Sequence, residues 1–355
     1  IGPQTGLQCI ARWGKGRGES NEALSVTRPA SSEMQACMDL GSNSFHLLIG
    51  RWRDGEIEIV ERCSERVLLG EGVRASGRIS DAAMARGLNC LSTFHALMRQ
   101  HPVERYWALG TNTFRVARNA GDFIDAAAEQ GVRISTISGV QEAVLIYAGV
   151  LSALPEEEAR RLVVDIGGGS TEVIVGHGSD RLLTQSLTVG SVTWRDSYFA
   201  QGETTLDQVE SGLEQGLADA RSSFASIAPA VRAAGWDRAL ASSGTIKMLA
   251  GICNAHGFAE GEVSQEALLT LRPLFVTQAV SGGELAGLKE RRRDLLLAGW
   301  CVLLGLMQAY EIEKICFSAT ALREGMLDFM VRNQRTLSIT QEADLPGLRR
   351  PAQEL

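Results

Sequence analysis

The sequence predicts an α/β protein built from two related domains that face each other across a cleft. A motif at 38–50 occurs again at 164–176. In several further places a short β-rich run is followed by a turn of small residues and then by a helical pattern. The chain has 355 residues, which is enough for two domains of ordinary size.

The duplicated motif reads MDLGSNSFHLLIG in its first copy and VDIGGGSTEVIVG in its second. The copies match at a constant offset of 126 residues, as from Asp39 to Asp165 and from Ser44 to Ser170. Each copy predicts a strand that ends in an acidic residue, a tight turn of Gly, Ser or Asn, and a returning apolar strand. Such a turn can direct backbone N–H groups and hydroxyls at a phosphate, and the adjacent Asp can hold a metal ion or its water.

The first domain is expected over 34–153. Residues 1–33 precede it, are rich in Gly, Ser and Arg without periodicity, and are predicted to form a poorly ordered extension. After the first motif copy, strand–turn–helix patterns follow at 106–119 and 132–150. Ligands of α/β folds bind at the loops that follow the strands, so the side chains of these turns are candidate site residues.

The second domain is expected over 154–335. It begins with a charged, proline-containing boundary segment at 154–161, which the second motif copy follows directly. Further strand–turn–helix patterns lie at 238–253 and 314–327, and the apolar run at 295–307 predicts a buried helix. The tail at 336–355 has little periodicity and is expected to be loose.

Two carboxylates beside the second turn are candidate metal ligands. Glu172 lies two residues after the Gly-Gly-Gly-Ser turn and opens the returning strand. Asp165 and Glu172 can together hold Mg²⁺, which prefers oxygen ligands and phosphate partners. The competing interpretation of Glu172 is an exposed strand residue.

Glu142 is the candidate general base. It follows a Ser-Gly turn and precedes four apolar residues, which predicts a carboxylate at the start of a buried helix near the cleft. A favourable acid in the first turn of a helix is an equally good explanation from the residues alone.

Basic and polar residues on the other turns are candidate phosphate ligands. Arg115 can donate two parallel hydrogen bonds to phosphate oxygens. Thr111 and Asn112, in the turn just before it, offer further hydrogen-bond donors. Lys247, after Ser-Ser-Gly-Thr, and Arg323 are further candidates, although a solvated surface cation is the more common role of either one alone. The basic run KERRR at 289–293 can attract a long polyanion, but a solvated helix face is the favoured interpretation.

Composition limits the class of partner. The net charge of −7 argues against sequence-independent binding to nucleic acid. The apolar run at 295–307 is too short to span a bilayer, so no membrane partner is expected. Seven cysteines without a Cys-x-x-Cys pair suit reduced thiols in a cytoplasmic protein. A homodimer is expected to form away from the 295–307 helix.

Seven segments occur in the order of one known family: DLGSNSFHLL, GTNTFRVARN, ISG-x-x-EA, VDIGGGSTE, GSVTW, SSGTIK and ALREG. Over about 36–330 the chain resembles the exopolyphosphatase/guanosine pentaphosphate phosphatase family in its short, two-domain form. The resemblance implies two ribonuclease-H-like domains of the actin-like ATPase superfamily around a cleft. Where the family usually has two adjacent acids, this chain has Gln141 and Glu142.

The resemblance also implies roles for individual residues. Glu142 matches the family's catalytic base, and Arg115 matches an arginine of the cleft. Asp165 and Glu172 match Mg²⁺ ligands, with Asp39 helping. The phosphate-binding residues are expected to be Gly41, Ser42, Asn43, Ser44, Thr111, Asn112, Gly167, Gly168, Gly169, Ser170, Thr171, Ser243, Gly244 and Lys247.

The expected activity is an exopolyphosphatase that releases terminal orthophosphate from inorganic polyphosphate by Mg²⁺-assisted attack of water. One alternative is a phosphohydrolase that removes the 5′ γ-phosphate of guanosine pentaphosphate. A second is a non-catalytic regulator that binds polyphosphate or an alarmone, and a third is an actin-like kinase. The presence of Glu142 favours an enzyme over the regulator, and the sequence shows no motif for recognising a kinase's acceptor.

Overall fold

The computed structural model describes residues 34–53, 56–155, 159–199, 204–331 and 353–354. The extension predicted at 1–33 lies outside the described residues, and so does the predicted tail apart from 353–354. The strands are β1 (Met34–Leu40), β2 (Ser44–Arg53), β3 (Glu56–Arg66), β4 (Val103–Gly110), β5 (Ser135–Thr136), β6 (Arg160–Ile166), β7 (Thr171–His177), β8 (Asp180–Leu187), β9 (Arg238–Ser242), β10 (Glu262–Ser264), β11 (Lys314–Phe317) and β12 (Gln353–Glu354).

The helices connect and cover these strands. They are α1 (Val73–Ser76), α2 (Asp81–Met98), α3 (Asn112–Val116), α4 (Ala120–Glu129), α5 (Gly139–Leu151), α6 (Ser191–Tyr198), α7 (Leu206–Ala225), α8 (Ala228–Ala234), α9 (Gly244–Ala255), α10 (Gln265–Ser281), α11 (Leu296–Tyr310) and α12 (Leu322–Val331). A 3₁₀ helix at Glu290–Leu295 leads into α11.

The strands form two sheets with the same topology. In the first, the order is β3-β2-β1-β4, with β5 and β12 both paired to the outer edge of β4. In the second, the order is β8-β7-β6-β9-β11, with β10 added at the edge. The first three strands of each sheet are antiparallel to one another. Strands β4 and β5 of the first sheet, and β9 and β11 of the second, run parallel to the first strand of their sheet. This is the ribonuclease-H-like arrangement, present twice, and it confirms the predicted fold class.

The sequence repeat is also a repeat of hydrogen bonding. Gly41 N donates to Ser44 O at 3.2 Å, and Gly167 N donates to Ser170 O at 2.9 Å, so both turns close in the same way. Asp39 pairs with His46 across β1 and β2, and Asp165 pairs with Glu172 across β6 and β7. His46 in the first copy therefore stands where Glu172 stands in the second.

Three apolar clusters fill the part of the protein that the structure describes. One lies between the first sheet and helices α2 and α4, and the largest lies between the second sheet and helices α7, α9, α10 and α11. The third joins the two sheets through α5 and α12. Helix α11 is buried along its length except at Gln308, which confirms the buried helix predicted at 295–307.

Helices α5 and α12 cross at two glycines. A Cβ at Gly149 would overlap the carbonyl oxygen of Ala321, and a Cβ at Gly325 would overlap that of Leu145. Helix α12 also packs on β1 and β2, although it follows the second sheet in the chain. The crossing therefore fixes how closely the two halves of the protein approach each other.

Replacing Gly149 with alanine is expected to lower the free energy of unfolding by about 2 kcal/mol, because a backbone carbonyl cannot rotate away from the added methyl group. The steric cost outweighs the stabilisation of about 1 kcal/mol that alanine usually gives over glycine inside a helix. Denaturant unfolding measures the difference. The matched control is Gly121→Ala in α4, where the new Cβ would meet open space. An equal stability of the two variants would contradict the close crossing.

Candidate active site

The loops that follow β1, β4, β6, β9 and β11 meet around one cleft of about 610 Å³ between the two sheets. This is the position expected for a ligand in a parallel α/β arrangement. The predicted site residues that line it are Asp39, Gly41, Ser42, Asn43, Ser44, Thr111, Asn112, Glu142, Asp165, Gly167, Gly168, Gly169, Ser170, Ser243, Gly244 and Lys247. Arg115, Thr171 and Glu172 lie behind this lining.

The two glycine turns touch each other at the floor of the cleft. A Cβ at Gly168 would lie 3.0 Å from the Ser42 Cβ, and a Cβ at Gly169 would overlap the amide of Asn112. A side chain at 168 would require its neighbours to give way by a few tenths of an ångström, and one at 169 would displace the Asn112 amide. The contact brings the turn after β6 against the turns after β1 and β4.

Carbonyl oxygens of both turns are bonded within the protein. Ser42 O accepts from Gly70 N at 2.8 Å, and Gly168 O accepts from Val192 N at 2.8 Å. A carbonyl oxygen that pointed into the cleft would repel an anion, so these bonds favour phosphate at the turns. The Thr171 hydroxyl is also used internally, because it donates to Val189 O at 2.6 Å.

The turn after β9 has a strained backbone. Ser243 adopts φ 104° and ψ 168°, a region that costs a residue with a side chain about 1–3 kcal/mol. Its hydroxyl accepts from Thr245 N at 3.2 Å and from Ile246 N at 3.4 Å, which caps α9. At the next position, a Cβ on Gly244 would overlap the guanidinium of Arg292. The missing side chain at Gly244 therefore leaves room for the guanidinium of Arg292 in the cleft.

Asp39 and Asp165 occupy equivalent positions at the ends of β1 and β6. Burial raises the pKa of each carboxyl to about 7, although the positive charge of Arg323 acts in the opposite direction on both. The Ser242 hydroxyl donates a hydrogen bond to Asp165, which further opposes the rise in its pKa. The two acids are therefore desolvated groups that a cation in the cleft would favour in their charged form.

Glu142 lies in the first turn of α5 with its partner Arg115. Ser138 caps the helix, and Gln141 completes the capping box by accepting from Ser138 N at 2.8 Å. Arg115 donates to Glu142 Oε2 at 2.8 Å, to Ile137 O at 2.9 Å and, more weakly, to Ser170 Oγ at 3.4 Å. Burial raises the pKa of Glu142, and the neighbouring guanidinium lowers it.

Arg115 therefore holds a carboxylate in this structure, rather than standing free in the cleft. Gln141, where the resembled family usually has an acid, performs a capping role that Glu or Gln can fill equally.

Glu172 is almost fully buried on β7. Ser186 Oγ donates to its Oε1 at 2.7 Å, while its Oε2 has no hydrogen-bond partner among the described residues. Burial raises its pKa, and the charges of Glu142 and Asp165 add to the rise. Its assignment as a metal ligand stays a prediction.

Six basic side chains line the cleft in the described part of the chain: Arg62, Arg66, Lys247, Arg291, Arg292 and Arg323. Arg291 and Arg292 belong to the basic run for which a solvated helix face was the favoured interpretation, and their place at the cleft corrects it. Sequence reasoning missed Arg62, Arg66 and His46. Burial, together with nearby arginines, lowers the pKa of His46 to about 3, so this ring adds no positive charge to the cleft.

The acidic residues of the cleft fit a Mg²⁺ ion that is shared between the protein and substrate phosphates. No group of three or more His, Cys, Asp or Glu side chains within the described ranges is arranged to hold a metal ion. Mg²⁺ is commonly bound through one or two carboxylates, substrate phosphates and water. Asp39 and Asp165, both half-buried and both at the cleft, meet that requirement.

Two ribonuclease-H-like domains around a cleft with paired glycine turns define a protein of the actin-like ATPase fold. Residues 48–334 match the family model described as the Ppx/GppA phosphatase family. The chain belongs to this family. None of the helices in the described part of the chain has both the length and the hydrophobicity needed to cross a bilayer. The cytoplasmic location, the homodimer and the lack of nucleic-acid or membrane partners stay predictions.

The chain is similar to curated enzymes of bacteria. A guanosine-5′-triphosphate,3′-diphosphate pyrophosphatase from Vibrio atlanticus is 34% identical over 307 residues, which cover 86% of this chain and 61% of that protein. A protein of the same name from Photobacterium profundum is 32% identical over 89% of this chain and 64% of its own length. The chain thus spans about six tenths of the length of these relatives.

Two solved structures resemble it over nearly their whole length. An exopolyphosphatase from Cytophaga hutchinsonii has a TM-score of 0.75 and 26% identity, and the match covers 85% of this chain and 98% of that one. A Ppx/GppA family member from Aquifex aeolicus has a TM-score of 0.67 and 24% identity, with 85% and 99% covered, and supports the fold.

Proposed function

We propose that the protein hydrolyses the terminal phosphoanhydride bond of inorganic polyphosphate and releases orthophosphate. The observation that carries the proposal is the meeting of Glu142, two glycine turns and six basic side chains in one cleft. The basic residues extend from Lys247 on α9 to Arg62 on β3, which suits an elongated polyanion. Similarity to the exopolyphosphatase of Cytophaga hutchinsonii over most of both chains supports this substrate.

Guanosine pentaphosphate is the second candidate substrate. The relatives from Vibrio atlanticus and Photobacterium profundum are named for a guanosine 3′-diphosphate substrate. Phe317 and Leu322 also line the cleft and give it an apolar surface on which a base could pack.

In the proposed reaction, the turns at 41–44 and 167–170 bind the terminal phosphates through backbone N–H groups and hydroxyls. Glu142 accepts the proton of a water molecule as its oxygen attacks the terminal phosphorus in line with the bond that breaks. Arg115 keeps the Glu142 carboxylate oriented. The basic side chains of the cleft offset charge on the substrate, and positioning supplies most of the acceleration.

Mg²⁺ completes the proposed site. Asp165 and Asp39 would hold it, and when bound it supplies positive charge to the phosphate oxygens that carry the developing charge. The Ser242 hydroxyl fixes the orientation of Asp165 for this role.

Removal of divalent cations with a chelator is expected to abolish phosphate release, and added Mg²⁺ should restore it. Asp165→Asn should raise the Mg²⁺ concentration needed for half-maximal rate by about ten-fold or more, because one charged oxygen ligand is lost. The control is Asp207→Asn in the first turn of α7, an exposed position. Full activity in the chelator would contradict a metal-dependent reaction.

The substrate is tested by measuring phosphate release from long-chain polyphosphate and from guanosine pentaphosphate in parallel, with Mg²⁺. Release from polyphosphate supports the proposal, and release from the nucleotide alone selects the second candidate. Binding of either compound without release would instead select a regulator that senses it. ATP consumption in place of both would indicate an actin-like kinase.

A further inference from the structure

The two halves of the protein also touch each other beside the cleft. The contact joins the end of β3 and the segment after it, residues 66–74, to α6 and the 3₁₀ helix of the other half. Asp294 in the 3₁₀ helix accepts hydrogen bonds from two arginines through the same oxygen, Oδ2. One donor is Arg66 from the first half, and the other is Arg195 of α6, at 2.6 Å.

Arg195 is the fixed end of this contact. Its side chain is only 3% exposed, and it donates to Asp196 Oδ1 from Nε at 2.9 Å and from Nη2 at 2.7 Å. Asp196 Oδ2 accepts in turn from Gly72 N at 3.1 Å, and Glu71 lies 3.6 Å from Arg195. Arg195 therefore keeps a charged partner even when Asp294 is changed, so a variant at Asp294 is expected to fold.

Arg66 is the end of this contact that lies at the cleft. It lines the cleft, and its Nε has no hydrogen-bond partner in the region that the structure describes. Burial lowers the pKa of Arg292, and the nearby charges of Arg291 and Arg66 lower it further. Without Asp294, mutual repulsion would move Arg66 away from these side chains.

We infer that Asp294 is a positioning residue, which ties the two domains together beside the cleft and holds Arg66 toward substrate phosphates. The inference rests on the proposed function, since it takes the substrate to be a chain of phosphates. Because Arg66 and Asp294 belong to opposite halves, Arg66 reaches its place only when the halves are in contact. The affinity for substrate therefore depends on the contact between the two halves.

Kinetics of Asp294→Asn test this link. We expect the KM for polyphosphate to rise about ten-fold while kcat changes by less than about two-fold, because binding rather than the reacting group is affected. Arg66→Gln should raise KM by the same factor, and the double variant should raise it no further. A purely structural role would instead lower kcat and thermal stability. Independent, multiplied effects on KM would overturn the inference.

Two controls complete the design. Glu210→Gln removes an ion pair of similar exposure with Arg272, away from the cleft, and should leave KM unchanged. Asp294→Glu keeps the charge and should restore most of the affinity. A loss of affinity in Asp294→Glu as large as that in Asp294→Asn would count against positioning by charge.

Binding measurements keep the inference separate from the proposed activity. Affinity for tripolyphosphate, measured by calorimetry, needs no turnover and should fall about ten-fold in both single variants. Without any ligand, hydrogen exchange at Gly72 should be faster in Asp294→Asn, because the contact around Asp196 loosens. Absence of hydrolysis in the wild-type protein would refute the proposed function alone. Unchanged exchange and unchanged tripolyphosphate affinity would refute the role of Asp294.

Discussion

Replacement of Glu142 by glutamine is expected to lower the rate of phosphate release by about 10²–10⁴-fold, the range that a positioned general base contributes. Glutamine has nearly the same volume and can still accept from Arg115 Nη1, so α5 should keep its place. What it lacks is a basic oxygen for the proton of the attacking water. Initial rates of phosphate release, with polyphosphate at saturation, measure the effect.

The adjacent residue provides the control. Gln141→Glu retains the capping box with Ser138 and creates the pair of adjacent acids that is usual in the Ppx/GppA family. The activity of this variant should therefore stay within about three-fold of wild type. Tripolyphosphate affinity should be similar in Glu142→Gln and wild type. A Glu142→Gln variant with wild-type activity would mean that another group accepts the proton.

The parts of the fold and site that the sequence predicts are those with a local signal. Asp39 and Asp165 each lie one residue before the end of an apolar strand that a turn of small residues follows. Two copies of this pattern in register remove most chance explanations. The strand period of two also places Asp165 and Glu172 on one face, since they are opposite each other in the antiparallel pair. These features need only neighbouring residues for their recognition.

Features that depend on distant packing were missed. Arg291 and Arg292 lie in a run whose composition is that of a solvated surface, and only the docking of the 3₁₀ helix beside β3 brings them to the cleft. Arg66 is the last residue of β3, and the charged residues of that strand form no recognisable phosphate-binding motif. The burial of Glu172 depends on α5, whose first residue, Gly139, approaches Ser186 so closely that a Cβ there would overlap its hydroxyl.

Helix α12 illustrates the same limit at the level of the fold. Its pattern indicates a helix after a strand, but not the sheet on which that helix packs. It crosses α5 through Gly149 and Gly325, and nothing in either local sequence identifies the other as its partner. Tight glycine contacts of this kind become visible only when both backbones are in place.

Gly190, at the start of α6, makes another close backbone contact of this kind. Its replacement by alanine is expected to reduce kcat/KM by about 10²-fold. A Cβ there would lie 2.5 Å from backbone atoms of Gly168 and Gly169, which cannot rotate out of its way. The second glycine turn must therefore shift, and a displacement of about 1 Å at a reacting group costs a factor of this size. Gly190 has φ −154°, which alanine adopts freely, so the effect is steric.

Gly251→Ala in α9 is the matched control for Gly190→Ala, because its new Cβ would make only an ordinary contact, 3.6 Å from Gly287 O. We expect Gly251→Ala to keep its activity, and Gly190→Ala to lose tripolyphosphate affinity together with rate. Since Gly190 lies behind the turn and carries no side chain, it has no direct chemical role. A loss of activity in Gly190→Ala alone would therefore show that the position of the turn at 167–170 limits the reaction, whereas equal activities would place the critical phosphate contacts elsewhere in the cleft.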